Sequence, residues 1–307
     1  MELWELRQKQ SLPLEAKILM SQQRIRQWYE HWDGQVYVSF SGGKDSTVLL
    51  HLVRQMYPDV PAVFADTGLE YPEIREFVKT VENVEWVKPG LHFRQAVEKH
   101  GFPVVSKEIA STVEGARRNQ KSLRYKKLFG SLLHDGKKSP YNCTKWNFLY
   151  KAPFKISDKC CGVMKKTPFK KYEKTTGRKG YIGTMATDSV LRQTNYMRHG
   201  CNSFGGRGIS LPLSFWTEQD IWDYIHQFNV PYSKIYDMGY TRTGCMFCMF
   251  GVHLEQEPNR FQRMKHTHPK QWEYCMFKLG LAEVLDYINV PWGGQMELLD
   301  YMEAQHE

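Results

Sequence analysis

The chain has 307 residues, 41% of them hydrophobic and 24% charged, with a formal net charge of +9 at neutral pH. That length can bury a full α/β core with room for a small second module, and no apolar run approaches the roughly 18 residues of a membrane span. The N-terminus, Met1-Glu-Leu-Trp-Glu-Leu-Arg7, is charged and has no secretory apolar region, so a cytoplasmic protein with seven reduced cysteines and no membrane partner is expected. The charge is uneven. Arg117 to Lys171 holds 16 Lys and Arg against two acids, Asp135 and Asp158, which leaves the remainder net acidic.

In chain order, Leu14 to Trp32 carries Leu14, Ile18, Leu19, Ile25 and Trp28 at near-helical spacing and ends at Asp33-Gly34. Val36 to Phe40 predicts a buried strand. Ser46 to Gln55 predicts a helix with Val48, Leu49, Leu52 and Val53 on its apolar side. Pro61 to Ala65 is a second strand, Tyr71 to Val81 a helix, Val84 to Val87 a third strand and Phe93 to His100 another helix. This alternation predicts a doubly wound, mainly parallel sheet whose ligands lie at the carboxyl ends of the strands. Asp66 and Thr67 sit at such an end. Farther on, Thr217 begins a helix with acids in its first turn, and the tail from Pro258 to Glu307 reads as helical. The expected division is an N-terminal helical segment (1–34), a nucleotide domain (35–230) with a basic insertion around 115–171, and a cysteine loop with helices (231–307).

Between the first strand and its helix lies Ser41-Gly42-Gly43-Lys44-Asp45-Ser46. A glycine turn that opens a helix presents unpaired N–H groups and the positive end of a dipole, which suits a phosphate. The glycines permit close approach, and Lys44 adds a point charge. The Walker A spacing is absent. In the basic segment, Tyr125, Trp146, Phe148 and Tyr150 stand among lysines and arginines, a pattern that suits a nucleic-acid surface as well as a solvated helix face. Four thiols fall in two pairs, Cys160-Cys161 and Cys245-x-x-Cys248. Ligand chemistry leaves a [4Fe-4S] cube, zinc and unligated thiols open, with the cube favoured over zinc because an adjacent Cys-Cys pair is unusual in zinc sites.

The loop resembles the PP-loop of the ATP pyrophosphatases and their sulfonucleotide-reductase relatives. The resemblance covers most of the chain. It runs through Asp66-Thr67-Gly68, Cys160-Cys161 with Lys165 and Pro168, Gly183-Thr184 with Ser189 and Arg192, Trp216-Thr217 with Asp220, and Gly244-Cys245-x-x-Cys248. These are similar to the phosphoadenosine phosphosulfate (PAPS) reductase family, and the cysteines to its adenylyl-sulfate branch, which carries a [4Fe-4S] cluster. The resemblance implies an adenine nucleotide alpha hydrolase-like fold. ATP with Mg would be held by Ser39, Ser41, Gly42, Gly43, Lys44, Asp45, Ser46, Asp66, Thr67 and Gly183. Lys44, Asp45, Lys165 and Arg192 would be the catalytic contacts, and Cys160, Cys161, Cys245 and Cys248 the metal ligands.

Three departures bear on activity. Met164 and Met185 stand where the reductases usually place arginine, and methionine offers neither charge nor donor. The family's C-terminal Glu-Cys-Gly-Leu-His, which carries the nucleophile, has no match. Cys275 lies in a helical stretch and reads as core. The expected function is therefore ATP-dependent adenylation of an acceptor with pyrophosphate release and cluster-assisted sulfur transfer. Nucleic acid is a candidate acceptor and a cysteine desulfurase a candidate sulfur donor. A sulfonucleotide reductase is the alternative, and a non-catalytic nucleotide- or DNA-binding subunit the third reading.

Overall fold

Strands β1 (Val36–Ser39), β2 (Ala62–Ala65) and β3 (Val84–Val87) form where the apolar runs predict them. A computed structural model of the protein describes residues 1–206 and 208–293, and the predicted helical tail beyond Gly293 lies outside the described residues. With β4 (Lys179–Ile182), β5 (Asn202–Ser203) and β6 (Ile209–Ser210) they make one sheet of order β3-β2-β1-β4-β6-β5. Neighbours are parallel except β5 with β6.

Helices cover both faces of this sheet, which is why β1 and β2 are largely apolar and buried. On one face Tyr37 packs with Val63 of β2 and Tyr172 of the helix Thr167–Thr176. Gly180 of β4 is required there, because a Cβ would stand 2.9 Å from the Tyr37 ring. On the other face Val38 aligns with Tyr181. The Tyr181 hydroxyl donates to the Ile25 carbonyl of the N-terminal helix at 2.8 Å. Helices α1 (Leu3–Gln10), α2 (Leu14–His31) and α3 (Lys44–Met56) precede and follow β1. Val48, Leu49, Leu52 and Val53 of α3 are all fully buried, as their spacing predicts.

The α2 stripe differs from the expectation at one position. Leu19 is 67% exposed, while Lys17 is buried in its place. Its ammonium donates to both carboxylate oxygens of Asp220, at 2.8 and 2.7 Å. Asp220 is the third residue of the helix Glu218–Gln227 and also receives the Thr217 backbone N–H at 2.6 Å, completing the predicted cap. A charge pair thus replaces an apolar contact between two helices, and spacing rules cannot foresee it.

Two compact units divide the chain, Met1–Pro89 with Lys165–Met246 and Gly90–Met164 with Phe247–Glu307. The sequence division at 34/35 and 230/231 does not coincide with these cuts. A sequential reading has no signal for a unit assembled from two separated stretches, and the 1–34 segment packs with the sheet rather than standing apart. In the second unit, the two-residue strands Val104–Val105 and Met249–Phe250 pair in parallel. The helix Lys107–Arg118, capped by Ser106, packs against the helix Leu123–Leu128 and the turn Thr144–Lys151. A hairpin of Leu133–His134 and Lys137–Lys138 follows.

Among the described residues no helix is long and apolar enough to cross a membrane.

Candidate functional site

β1 ends at Ser39, in register with Val63 of β2 and Ile182 of β4, and its carboxyl end feeds the glycine loop. Gly42 has φ +73°, and a Cβ there would lie 2.8 Å from the Cγ2 atoms of both Ile74 and Val78. Only glycine fits. Hydroxyls hold the loop's shape. The Ser41 N–H donates to Ser46 Oγ at 3.1 Å, Ser46 Oγ donates to the Gly43 carbonyl at 2.8 Å, and the Thr47 hydroxyl donates to the same carbonyl at 3.0 Å. Gly43 is the N-cap residue of α3 and has no side chain of its own with which to cap the helix. Gly183, just after β4, packs on this turn so closely that a Cβ would be 2.9 Å from the Asp45 carbonyl oxygen. Loop, helix end and the two flanking strands therefore form one rigid cradle.

Lys44 is buried, with its side chain only 6% exposed. Its ammonium lies 3.1 Å from Glu218 Oε1, donates to the Thr241 carbonyl at 3.1 Å, and sits 5.4 Å from the centre of the Tyr236 ring. Burial alone would lower its pKa, but Asp45, Tyr236 and Glu218 outweigh it and raise the value, so the side chain stays charged. The Lys44 backbone N–H donates to the Tyr236 hydroxyl at 2.8 Å. Asp45 shows the opposite balance. Burial raises its pKa despite Lys44, Asp188 and Glu218 add to the rise, and Arg192 opposes it. Asp45 Oδ1 is buried without a hydrogen-bond partner. Arg192 pairs with Asp188, whose carboxylate also receives the Met185 N–H at 2.9 Å.

The remaining predicted contacts gather into a second group. Asp66 accepts from Arg75 at 3.0 Å. Thr67 donates to Glu70 through its N–H at 3.0 Å and its hydroxyl at 2.7 Å, so both bind within their own turn. Lys165 lies 4.0 Å from Glu70. The structure thus gathers Ser41 to Ser46, Gly183 and Arg192 around α3, and Thr67 with Lys165 around Glu70. Sequence reasoning missed Asp188, Glu218, Tyr236, Thr241 and Thr243. Glu218 carried a signal only as an acid in a helix's first turn, and the others carried none.

The glycine cradle and the Asp45 Oδ1 atom, which faces Lys44 at 3.8 Å but accepts no hydrogen bond, fit a nucleotide phosphate with its counter-cation. For the cysteines, Cys160 is buried and Cys161, Cys245 and Cys248 are half-buried. Cys160, Cys161 and Cys248 belong to one compact unit and Cys245 to the other. Among the described residues no group of three or more His, Cys, Asp or Glu is gathered to hold a metal ion, so a cluster rests on the ligand chemistry of the four thiols.

Proteins of the doubly wound class bind nucleotides at this position, outside the carboxyl ends of strands where the order turns from β1–β2 to β4. The PAPS reductase domain model matches residues 35–128 and 134–250, and the chain belongs to that family. An adenosine 5'-phosphosulfate reductase of Anoxybacillus flavithermus is 25% identical over 83% of this chain and 90% of its own. An uncharacterised protein of Methanocaldococcus jannaschii is 25% identical over 81% of this chain, which spans only 42% of that protein. A phosphate complex of the PAPS reductase of Candida auris superposes with TM-score 0.43 and 17% identity, over 76% of this chain and 96% of that one.

Proposed function

We propose that the protein binds ATP with Mg at the Ser41–Ser46 loop, adenylates an acceptor, and takes part in sulfur transfer assisted by a [4Fe-4S] cluster. The glycine cradle around buried Lys44 carries this reading. In adenylation an acceptor oxygen forms a bond to the α-phosphorus as the bond to pyrophosphate breaks. Lys44 and the helix end would hold the departing charge, and Asp45 Oδ1 would face the cation. Cys160, Cys161, Cys245 and Cys248 are the proposed cluster ligands, and a bound cluster would supply sulfide or electron-transfer chemistry. A cysteine desulfurase is the proposed sulfur donor. Nucleic acid is the proposed acceptor, supported by the exposed lysines of the 117–171 segment.

Pyrophosphate release from ATP on addition of acceptor tests the reading, together with iron analysis of anaerobically purified protein. About four irons with acid-labile sulfide per chain are expected. One stoichiometric zinc without sulfide would remove the cluster.

The names of the bacterial relatives favour a second reading, a sulfonucleotide reductase. Against it, Met164 and Met185 are buried and offer no charge where two arginines are expected, each such charged bond being worth roughly 1.5–3 kcal/mol. Burial also pushes the Cys275 thiol well up and the Cys201 thiol up to about 11, so neither is a thiolate at neutral pH. Sulfite release from adenylyl sulfate at an enzymatic rate would promote this reading over the first.

A further inference from the structure

Two residues outside the glycine loop occupy Lys44, one at its backbone N–H and one at its ammonium. The Tyr236 hydroxyl takes the first N–H of α3 at 2.8 Å and also meets Thr243 Oγ1 at 3.2 Å. The Glu218 carboxylate lies 3.1 Å from the ammonium. These are the kinds of contact a phosphate oxygen would make, a hydroxyl oxygen on a helix N–H and an anionic oxygen on the lysine. The Thr243 hydroxyl lies so close to Gly43 that a Cβ there would stand 2.7 Å from it.

We propose that Glu218 and Tyr236 are specificity-determining residues of the loop. They stand in for a ligand's oxygens on Lys44, and a phosphate binds by exchanging with them. This inference rests on the proposed phosphate site and deepens it.

The surroundings allow the exchange. Glu218 is 57% exposed on its side chain, so it can swing into water without burying a charge. Tyr236 is half-buried, and its neighbours Asp237, Met238 and Gly239 are exposed. Burial raises the Tyr236 pKa, so its hydroxyl is protonated at neutral pH and the contact is that of a neutral group. By contrast the Lys44 stem, Gly42 and Gly43 are buried and fixed. The latch can move; the cradle stays.

Exchange imposes a charge threshold. An incoming anion must outcompete a carboxylate for the same ammonium, which a polyphosphate does and a singly charged anion does not. Glu218 would thus make the site select pyrophosphate-bearing ligands, at the expense of absolute affinity.

The test is calorimetry of pyrophosphate and of chloride-balanced acetate on the full chain, for wild type, Glu218→Gln, Tyr236→Phe and Lys44→Ala. Glu218→Gln should bind pyrophosphate about 5- to 10-fold tighter and also show measurable acetate binding, because the competing carboxylate is gone. Tyr236→Phe frees one N–H and should bind pyrophosphate about 2- to 5-fold tighter, the value of one neutral hydrogen bond. Unchanged or weaker pyrophosphate binding in both variants would overturn the inference while leaving the phosphate site standing, provided Lys44→Ala weakens binding. No pyrophosphate binding in any of the proteins would overturn the phosphate site and this inference with it.

Discussion

The Ser41–Ser46 loop reads in the sequence as an anion site and the Arg117–Lys171 stretch as either a nucleic-acid surface or a solvated face, and the fold treats their cations in different ways. In the loop the signal came from backbone geometry, and the structure keeps it. Gly42, Gly43 and Gly183 each sit where a Cβ would collide, and Lys44 is held at a helix end. In the basic stretch the signal was a count of charges, and several of those charges are spent internally. Arg117 donates to the carbonyls of Tyr150, Phe154, Leu149 and Ala152 at 3.0, 2.7, 2.6 and 2.8 Å. It is a brace for the turn Thr144–Lys151, with its donors spent on carbonyls of the fold. Arg118 and Lys159 pair with Glu114, and Lys127 pairs with Glu108. Among the described residues Lys121, Lys126, Lys137 and Lys138 are exposed and make no ion pair. A glycine's role can be inferred from its neighbours in sequence; a cation's cannot, because its partner sits elsewhere in the fold.

The sharpest way to break this contrast is Arg117→Met. Four carbonyls would lose their donor, so unfolding by urea should show a loss of about 2–4 kcal/mol. An unchanged midpoint would return Arg117 to the list of surface cations. Next in size, Lys44→Ala should weaken ATP binding about 10- to 100-fold, the value of a charged hydrogen bond, with pyrophosphate release falling at least as far. Equal affinity in the variant would erase the distinction drawn for the loop.

Asp45→Asn should separate stability from function. Because burial raises the Asp45 pKa, its ionisation opposes folding. Wild-type stability from this group is full below the unfolded value of about 3.9 and is lost as pH rises through the folded value. The variant should therefore be more stable than wild type at pH 7 and have a higher Tm, with the gain vanishing in acid and turnover lost. A destabilised variant at pH 7 would show that the attraction of Lys44 outweighs the cost of burying the carboxylate. The smallest effect on stability, within about 0.5 kcal/mol, is expected for Lys121, Lys126, Lys137 and Lys138 changed together to Ser. On duplex DNA the same change should flatten the log–log salt slope by about 3 to 4, since each phosphate contact contributes about 0.9. No change in slope would leave the basic segment without a nucleic-acid role.

Much of the sheet was legible because β1, β2 and β3 are short runs dominated by apolar residues between clear turn signals, and α3 keeps a strict apolar face. The glycine cradle was legible for the same reason, since strand, glycine pair and helix follow one another directly. What escaped was long-range. Glu218 and Tyr236 reach Lys44 across more than 170 positions of sequence, and no local pattern marks them. The two short strands Val104–Val105 and Met249–Phe250 escaped too, being shorter than any periodicity can register. The buried position of Lys17 went unseen because a lysine among polar residues reads as solvated.

That lysine matters to anyone who shortens this chain. The family match begins at residue 35, which invites removal of everything before it as a dispensable leader. Such a trimmed chain would lack Lys17 and would leave Asp220 buried at its cap with its cation gone, an orphaned charge that costs about 3–5 kcal/mol. It would also lack Ser21, whose hydroxyl receives the Trp216 indole N–H at 2.9 Å. Since Asp220 shares a helical turn with Glu218, the damage would reach the contact on Lys44. A chain starting at Gln35 is expected to express as insoluble protein, whereas restoring residues 1–34, with Lys17 and Ser21, should recover soluble protein that binds ATP.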